Sequence, residues 1–246
     1  LTFDDGYIDH YTQVLPVLLD NNLQGSFFIP ARLIKDNIVL DVNKIHFILE
    51  GSKDIKFLIT EIFKLLDNNR IEFKLESNDY YYNKLAIANR FDNSDIIFIK
   101  RILQSELSLE LREKIINYLF NSFIKVSENI FSKELYINID QIKMMINCGM
   151  HIGAHGYNHF WLGKLDNIEQ ENEIIKSISF LDEIGINEKY RTLCYPYGSF
   201  NEYTIQLLSK YKFKNAFTTI PKVANLQRDN KYKIPRLDTN DLPINL

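Results

Sequence analysis

Hydrophobic residues in the first thirty positions follow first a helical and then a strand pattern. Residues 1–3 are typical of the end of a β-strand, and apolar positions recur at helical spacing between Asp9 and Asn22. A short polar segment ending at Gly25 stops that helix, and the run Ser26–Ile29 predicts a buried strand. The chain therefore opens with a β-α-β unit.

The last third of the chain repeats this alternation of short apolar runs and amphipathic helices. The predicted strands are Met150–Ala154, Arg191–Cys194 and Ala216–Ile220, and the predicted helices are Asn167–Ile184 and Asn201–Tyr211. Strands that alternate with helices indicate a parallel sheet or a barrel, whose functional sites lie at the carboxyl ends of the strands. We therefore expect an α/β fold with a site at that edge.

The middle of the chain has a different pattern, in which helical periodicity dominates from residue 36 to 138. Helices are predicted over Ile55–Leu66, Asp95–Leu107 and Leu109–Phe131. The segment 74–82 fits either a hairpin strand or a loop, and its tyrosines suit helix packing or sugar stacking. We therefore predict a helical insertion over 36–138, within a barrel formed by 1–35 and 139–246.

Composition limits the class of partner. The 246 residues are 46% hydrophobic, enough for a packed core, and the net charge is −3. This balance gives no global field that would attract nucleic acid or an anionic membrane, so a neutral partner is expected. Cys148 and Cys194 are too few for a disulfide framework and are predicted to be buried thiols.

The sequence also bears on membrane association and on location. No apolar run approaches the roughly 20 residues of a membrane-spanning helix, and no basic-then-apolar leader stands at the start. Because the chain begins three residues before its acidic motif, we expect the first strand to be incomplete. Location stays open between cytoplasm and cell envelope, and no pattern indicates an oligomeric state.

Acidic and imidazole side chains are predicted at the strand ends. Asp4 and Asp5 directly follow the first strand, an unfavourable place for two carboxylates unless they bind a cation or transfer a proton. His155 and His159 follow the strand Met150–Ala154, and on a helical segment both rings would face one ion. Alone, the histidine pair fits local hydrogen bonding equally well. One of the carboxylates would complete a divalent metal site.

Three motifs resemble those of the polysaccharide deacetylase family, the carbohydrate esterases that share the NodB-homology domain. They are TFDDG at residues 2–6, HGYNH at 155–159 and YPYG at 195–198, in the family's order. The resemblance covers residues 1–35 and 139–220. It implies a distorted (β/α) barrel that removes acetyl groups from amino sugars or sugar hydroxyls with a divalent metal, usually zinc.

The resemblance assigns roles to the matching positions. Asp5, His155 and His159 would bind the metal, and Asp4 would act as the general base toward the attacking water. The backbone N–H of Tyr197 would hold the oxyanion, and its ring would help to shape the substrate pocket. Taken alone, the PYG tripeptide is more typical of a turn before the next helix.

The chain departs from the family's third motif. Many members carry an arginine there that pairs with the catalytic aspartate, and Cys194 stands at that position. Arg236, in the otherwise apolar segment 234–237, is predicted to reach Asp4 from another strand end and to lower the pKa of its carboxyl. An exposed position for Arg236 is the alternative.

The chain also lacks the family's late general acid, because no histidine follows His159. His10, at the start of the first helix, is predicted to protonate the leaving amine instead, and a helix-surface or N-terminal hydrogen-bonding role is its alternative. His151, on the strand before the metal motif, is a weaker candidate. His46 is predicted to be a surface or packing residue of the insertion.

These patterns predict a metal-dependent hydrolase that removes acetyl groups from N-acetylated sugar units of a polysaccharide or its precursor. The expected partner is an acetylated glycan, and the expected cofactor is Zn²⁺. An O-acetyl esterase is the nearest alternative, because an alkoxide leaving group needs less protonation than an amine. A non-catalytic glycan-binding or scaffolding protein is the alternative from another class, and metal content separates it from an enzyme.

Overall fold

The computed structural model of the protein describes residues 1–89 and 91–242. Close contacts divide the chain into two compact units. The first consists of residues 1–38 together with the chain from residue 131 onward, and the second of residues 39–130. The predicted site residues all lie in the first unit.

A five-stranded parallel sheet forms the centre of the first unit, and its strands pair in chain order. The strands are Thr2–Asp4 (β1), Ser26–Ile29 (β2), His151–Ala154 (β3), Thr192–Cys194 (β4) and Asn215–Phe217 (β5). Phe27, Phe28 and Ile29 are inaccessible to solvent, as expected for a parallel strand covered on both faces. The predicted α/β class with a parallel sheet is confirmed.

The described residues form eleven α-helices. They are Leu15–Asp20 (α1), Ala31–Asp36 (α2), Asp41–Gly51 (α3), Ile55–Asn69 (α4), Asn78–Leu85 (α5), Ser94–Arg101 (α6), Leu109–Phe123 (α7), Glu128–Leu135 (α8), Ile139–Asn147 (α9), Asn167–Glu183 (α10) and Glu202–Lys210 (α11). A five-residue π-helix, His10–Val14, directly precedes α1. None of the helices in this part of the chain is both long and apolar enough to cross a lipid bilayer.

The second unit differs from its sequence-based description at two places. The single helix predicted over Leu109–Phe131 is wrong, because α7 ends at Phe123 and Ile124 adopts an extended backbone, with φ −107° and ψ 106°. The undecided segment 74–82 contains the start of α5. Oγ of Ser77 caps this helix by accepting a hydrogen bond from the backbone N–H of Tyr80 at 3.1 Å.

The carboxyl ends of the parallel strands lie along one edge of the sheet, which we call the carboxyl edge. Asp4 is the last residue of β1, His155 directly follows β3, and Cys194 ends β4. Beyond β5, Ile234 forms an isolated parallel bridge with Phe217 and so places the segment that follows it at the same edge. Residues far apart in the sequence are thereby brought together.

Candidate active site

The three predicted metal ligands meet at the carboxyl edge. The Nε2 atoms of His155 and His159 lie 3.4 and 3.3 Å from the same oxygen, Oδ1 of Asp5. One ligand atom from each side chain lies within 4.8 Å of the other two. Both imidazoles are buried, and the Asp5 side chain is 22% exposed. The structure thus brings the three residues together, while their role as ligands stays a prediction.

The backbone that presents these ligands is irregular. The helical segment considered for the two histidines is absent, because residues 155–161 form a loop in which His159 has φ +61°. Asp5 has φ +74°, and its backbone N–H donates to the carbonyl of Phe28 at 3.0 Å. A positive φ disfavours a residue with a side chain by roughly 1–2 kcal/mol and persists where the surroundings impose it. Tertiary contacts therefore hold both ligands in place.

A hydrogen bond determines which nitrogen of His155 faces Asp5. Nδ1–H of His155 donates to the backbone carbonyl of Cys194 at 2.7 Å, since a carbonyl oxygen can only accept. Nε2 is the ring nitrogen that faces Asp5. A carbonyl partner of this kind orients a ligating histidine and makes its other nitrogen more basic.

The donor set fits a divalent cation. Oδ1 of Asp5 is buried and has no hydrogen-bond partner, although two imidazole nitrogens lie close to it. A tetrahedral ion with bonds of about 2.0–2.1 Å to nitrogen and oxygen would separate its ligand atoms by about 3.4 Å. The two distances to Oδ1, 3.3 and 3.4 Å, agree with that separation. A zinc-like ion would therefore satisfy the oxygen that the protein leaves unsatisfied.

The side chain of Asp4 is held by Arg236. Nη1 and Nη2 of the guanidinium donate to Oδ1 and Oδ2 at 3.0 and 2.7 Å, a two-pronged arrangement. Nε of Arg236 donates to the carbonyl of Thr218, and Nη1 also reaches Oγ1 of Thr2. The thiol of Cys194 donates to Oδ2 of Asp4 at 3.4 Å. The predicted contact between Arg236 and Asp4 is present.

Positive groups set the charge state of both aspartates. Burial would raise the pKa of Asp4, but the charge of His155 and the hydrogen bonds and charge of Arg236 outweigh it and hold the pKa below 3.8. Burial would also raise the pKa of Asp5, but the nearby imidazoles of His155 and His159 outweigh it and hold the pKa far below the usual range. Both carboxylates are therefore ionised at neutral pH.

His10 lies in an aromatic pocket. Its ring centroid is 5.7 Å from that of Phe3, 5.8 Å from Tyr7 and 5.6 Å from Phe27, and its Nδ1 has no hydrogen-bond partner. Burial lowers the pKa of His10 despite the nearby carboxylates. The neutral imidazole is thus favoured, and the role of His10 as general acid stays a prediction.

The other two candidate histidines have surroundings of their own. Nε2 of His151 lies 3.0 Å from the backbone carbonyl of Tyr190, at the amino end of β3. That end of the strand is opposite the carboxyl edge, so His151 is poorly placed to protonate a leaving group there. His46 is exposed on α3, in the second unit.

Two aromatic side chains lie beside His159. The ring centroid of Tyr197 is 4.7 Å from that of His159 and 4.6 Å from that of Trp161, and the planes of Tyr197 and Trp161 differ by 9°. The turn expected at Pro196–Gly198 is present, and within it Tyr197 has φ +56°. A strained residue therefore sits next to a candidate metal ligand. The use of its backbone N–H as an oxyanion donor stays a prediction.

Sequence reasoning missed the residue that supports the loop between the two histidines. The carboxylate of Glu173, in α10, accepts hydrogen bonds from the backbone N–H groups of Tyr157 and Asn158, both at 2.9 Å. Glu173 is only 3% exposed. The available signal was a carboxylate on the inward face of an amphipathic helix.

Part of the sequence matches the model of a known family. Residues 111–216 match the sequence model described as polysaccharide deacetylase. The matched segment contains His155, His159 and Tyr197, but not the TFDDG motif. A search of curated proteins found no match. The resemblance that the three motifs indicate is thus confirmed by the match over residues 111–216.

Solved structures share the fold. The chain aligns over 96% of its length with the Streptococcus pyogenes deacetylase PplD in complex with acetate, at TM-score 0.54 and 16% identity, and covers 62% of that protein. The BpsB deacetylase domain from Bordetella bronchiseptica gives a TM-score of 0.53 at 14% identity, and the alignment covers 96% of this chain and 69% of that domain. IcaB from Ammonifex degensii gives a TM-score of 0.50 at 16% identity, and the alignment covers 96% of this chain and 65% of that protein. The implied deacetylase-type barrel is confirmed as the fold, and the chain spans 62–69% of these relatives.

Proposed function

We propose that this protein is a metal-dependent hydrolase that removes acetyl groups from N-acetylated sugar units of a polysaccharide or its precursor. One observation carries the proposal. The buried Oδ1 of Asp5 lacks a hydrogen-bond partner, and two imidazole nitrogens lie 3.3 and 3.4 Å from it. The family match over residues 111–216 supports the reaction class.

Asp5, His155 and His159 would hold the ion, which we propose to be Zn²⁺. Two nitrogens and one carboxylate oxygen are a known ligand set of catalytic zinc sites, which keep a further position open for water or substrate. When bound, the ion would supply a Lewis acid that polarises the acetyl carbonyl. The unsatisfied oxygen and the ionised cluster both support this assignment.

Asp4 is the proposed general base. Its carboxylate is ionised, directly precedes Asp5 in the chain, and remains 27% exposed, so water can reach it. Two parallel hydrogen bonds from Arg236 restrict its rotation and so orient it toward a water attacking the carbonyl. In this proposal Arg236 acts through Asp4 and does not touch the substrate.

The aromatic residues are proposed to receive the substrate. Tyr197 and Trp161 offer stacked rings beside His159, and rings of this kind line many ligand pockets. The backbone N–H of Tyr197 is the proposed oxyanion donor, supported by the turn that places this residue next to His159.

Protonation of the leaving group distinguishes two reactions. His10 is the proposed acid for amide cleavage, but it is buried among aromatic rings and favours its neutral form. This burial favours a second candidate function, an O-acetyl esterase on a glycan. An alkoxide leaving group needs less protonation than an amine, so ester cleavage depends less on a well-placed acid.

Acetate release from matched N-acetylated and O-acetylated glycans tests the proposal, with and without a chelator of divalent metals. We expect release from the N-acetylated glycan, its loss in the chelator, and its recovery when Zn²⁺ is returned. Release from the O-acetylated glycan alone would favour the esterase. No release, together with no stoichiometric ion in the purified protein, would indicate a non-catalytic glycan-binding protein and overturn the proposal.

A further inference from the structure

The loop that joins the two candidate histidine ligands is tied to a buried carboxylate. Oε2 of Glu173 accepts hydrogen bonds from the backbone N–H groups of Tyr157 and Asn158, both at 2.9 Å, and Oε1 accepts one from Nδ2 of Asn158. Both oxygens are therefore committed to this one loop. The loop lies between His155 and His159 in the chain.

The same loop is held from its other side by the first turn of α2. The backbone N–H groups of Ala31 and Arg32 donate to the carbonyls of Gly156 and Tyr157, at 3.3 and 3.0 Å. These are amide groups that the start of a helix leaves without an intrahelical partner. Nη1 of Arg32 donates to Oδ1 of Asn158 at 3.0 Å. The Asn158 amide group is thus oriented, with its oxygen toward Arg32 and its nitrogen toward Glu173.

The loop backbone passes close to the carboxylate. A β-carbon added to Gly156 would lie 3.3 Å from Oε2 of Glu173, and Gly156 has φ +70°, a conformation that glycine adopts without strain. Buried N–H groups need acceptors, and a carboxylate can accept several hydrogen bonds. Glu173 therefore supplies the hydrogen-bond acceptor that the buried N–H groups of this turn require.

We infer that Glu173 is a positioning residue for the metal site: its carboxylate holds the 156–158 loop in the conformation that directs Nε2 of His159 at Asp5. This inference rests on the proposed metal site. His159 has φ +61°, so its orientation depends on the loop that precedes it and is not set by a helix. Glu173 acts on His159 through the backbone of Tyr157 and Asn158.

The change Glu173→Gln tests the inference with almost no change in volume. The new amide would turn its NH₂ group toward Nδ2 of Asn158, so that two donors face each other and the loop shifts. We expect the dissociation constant for Zn²⁺, measured by competition with a chromophoric chelator, to rise about tenfold or more. The Co²⁺-loaded variant should also give an altered visible absorption spectrum, because the ligand geometry changes.

Glu171→Gln is the matched control. Glu171 lies on the same helix and pairs with Lys210 and Tyr211 at 2.5 and 2.6 Å, away from the loop. Its replacement makes the same change in charge, and we expect Zn²⁺ affinity and the Co²⁺ spectrum to stay as in the wild type. Thermal unfolding of each metal-free protein reports any general loss of stability.

A second substitution should restore the site. In Glu173→Gln/Asn158→Asp, the amide introduced at position 173 can donate to the carboxylate introduced at position 158. Arg32 still finds an acceptor there, and both backbone N–H groups keep theirs. We expect Zn²⁺ affinity within about threefold of the wild type, although Asn158→Asp alone should weaken binding by placing two carboxylates together.

Three outcomes decide between the hypotheses. Weakened binding in both single variants and recovery in the double variant support the inference. Unchanged affinity and spectrum in folded Glu173→Gln overturn it, and if that variant does not fold, unchanged affinity in Asn158→Asp does so. A wild-type protein that binds no Zn²⁺ overturns the proposed function itself, so the two failures are distinguishable.

Discussion

Asp4 and Asp5 are neighbours in the chain, yet the two halves of the carboxyl edge that receive them differ. On one half, the guanidinium of Arg236 occupies both oxygens of Asp4. On the other half, Oδ1 of Asp5 is buried without a hydrogen-bond partner and faces two imidazole nitrogens. The protein neutralises the first carboxylate with its own fixed cation. In the proposed function, a metal ion would satisfy the second carboxylate.

The different partners of the two carboxylates suit the two proposed roles, which are proton acceptance by Asp4 and metal binding by Asp5. A charge paired in a two-pronged contact keeps its position and stays ionised, which suits a group that accepts a proton. A carboxylate oxygen without a hydrogen-bond partner beside two imidazole nitrogens suits a metal ion. Substitutions of Asp4 and of Asp5 should therefore have different consequences for metal content and for turnover.

Asp5→Asn should have the largest effect, because it removes the carboxylate from the proposed metal cluster. We expect the purified protein to lose its ion, and acetate release to fall on the order of 10⁴-fold. Metal analysis of the protein and an assay of acetate release measure the two effects. Wild-type metal content in this variant would show that Asp5 is not a metal ligand.

Asp4→Asn should leave the ion in place and remove the base. We expect acetate release to fall by about 10³-fold while metal content stays near the wild-type value. Asp20→Asn, at the exposed end of α1, is the matched control and should change neither quantity. Loss of the ion from Asp4→Asn would show that the two halves are not separate.

Arg236→Met tests the fixed cation of the first half. Removing it leaves the partly buried Asp4 charge unpaired, so we expect the free energy of unfolding to drop by about 3 kcal/mol and turnover by about 100-fold. Urea denaturation and acetate release are the measurements. Arg236→Lys keeps the charge without the two-pronged geometry. Its free energy of unfolding and its turnover should therefore lie between those of the wild type and of Arg236→Met. Intact turnover in either variant would remove Arg236 from the proposed machinery.

Cys194→Ser should have the smallest effect. The contact from Cys194 to His155 runs through the backbone carbonyl, which the substitution preserves, and a serine hydroxyl can still donate to Asp4. We expect unfolding to change by no more than about 1 kcal/mol and turnover by no more than about threefold. A tenfold loss of Zn²⁺ affinity would instead indicate that the thiol of Cys194 contributes to metal binding.

Local patterns predicted the regular elements of the first unit well. The strand Ser26–Ile29 is present as predicted, and the helix predicted over Asn167–Ile184 is α10 with one residue fewer. Each of these segments has a hydrophobic period that agrees with its burial, so local preference and tertiary packing favour the same structure. The helix predicted across Ile124 failed because helical periodicity continues through a residue whose backbone is extended.

The site was predicted in part. The side chains of Asp5, His155 and His159 do meet, but the helix considered for the two histidines is absent. Their spacing of four residues permits a helix, whereas the loop is held by hydrogen bonds from α2 and α10. Contacts of this kind override local preference, and neither Glu173 nor Arg32 lies near enough in sequence to signal them.

The sequence by itself determined which groups are available: two aspartates after a strand, two histidines after another, and the alternation of strands and helices that brings strand ends together. Only the tertiary structure decided their partners. Arg236 reaches Asp4 across 232 positions, and Glu173 fixes the loop before His159 from another helix. The physical reason is that composition and periodicity are properties of neighbours along the chain, whereas charge pairing and the orientation of a ligand depend on distances in space.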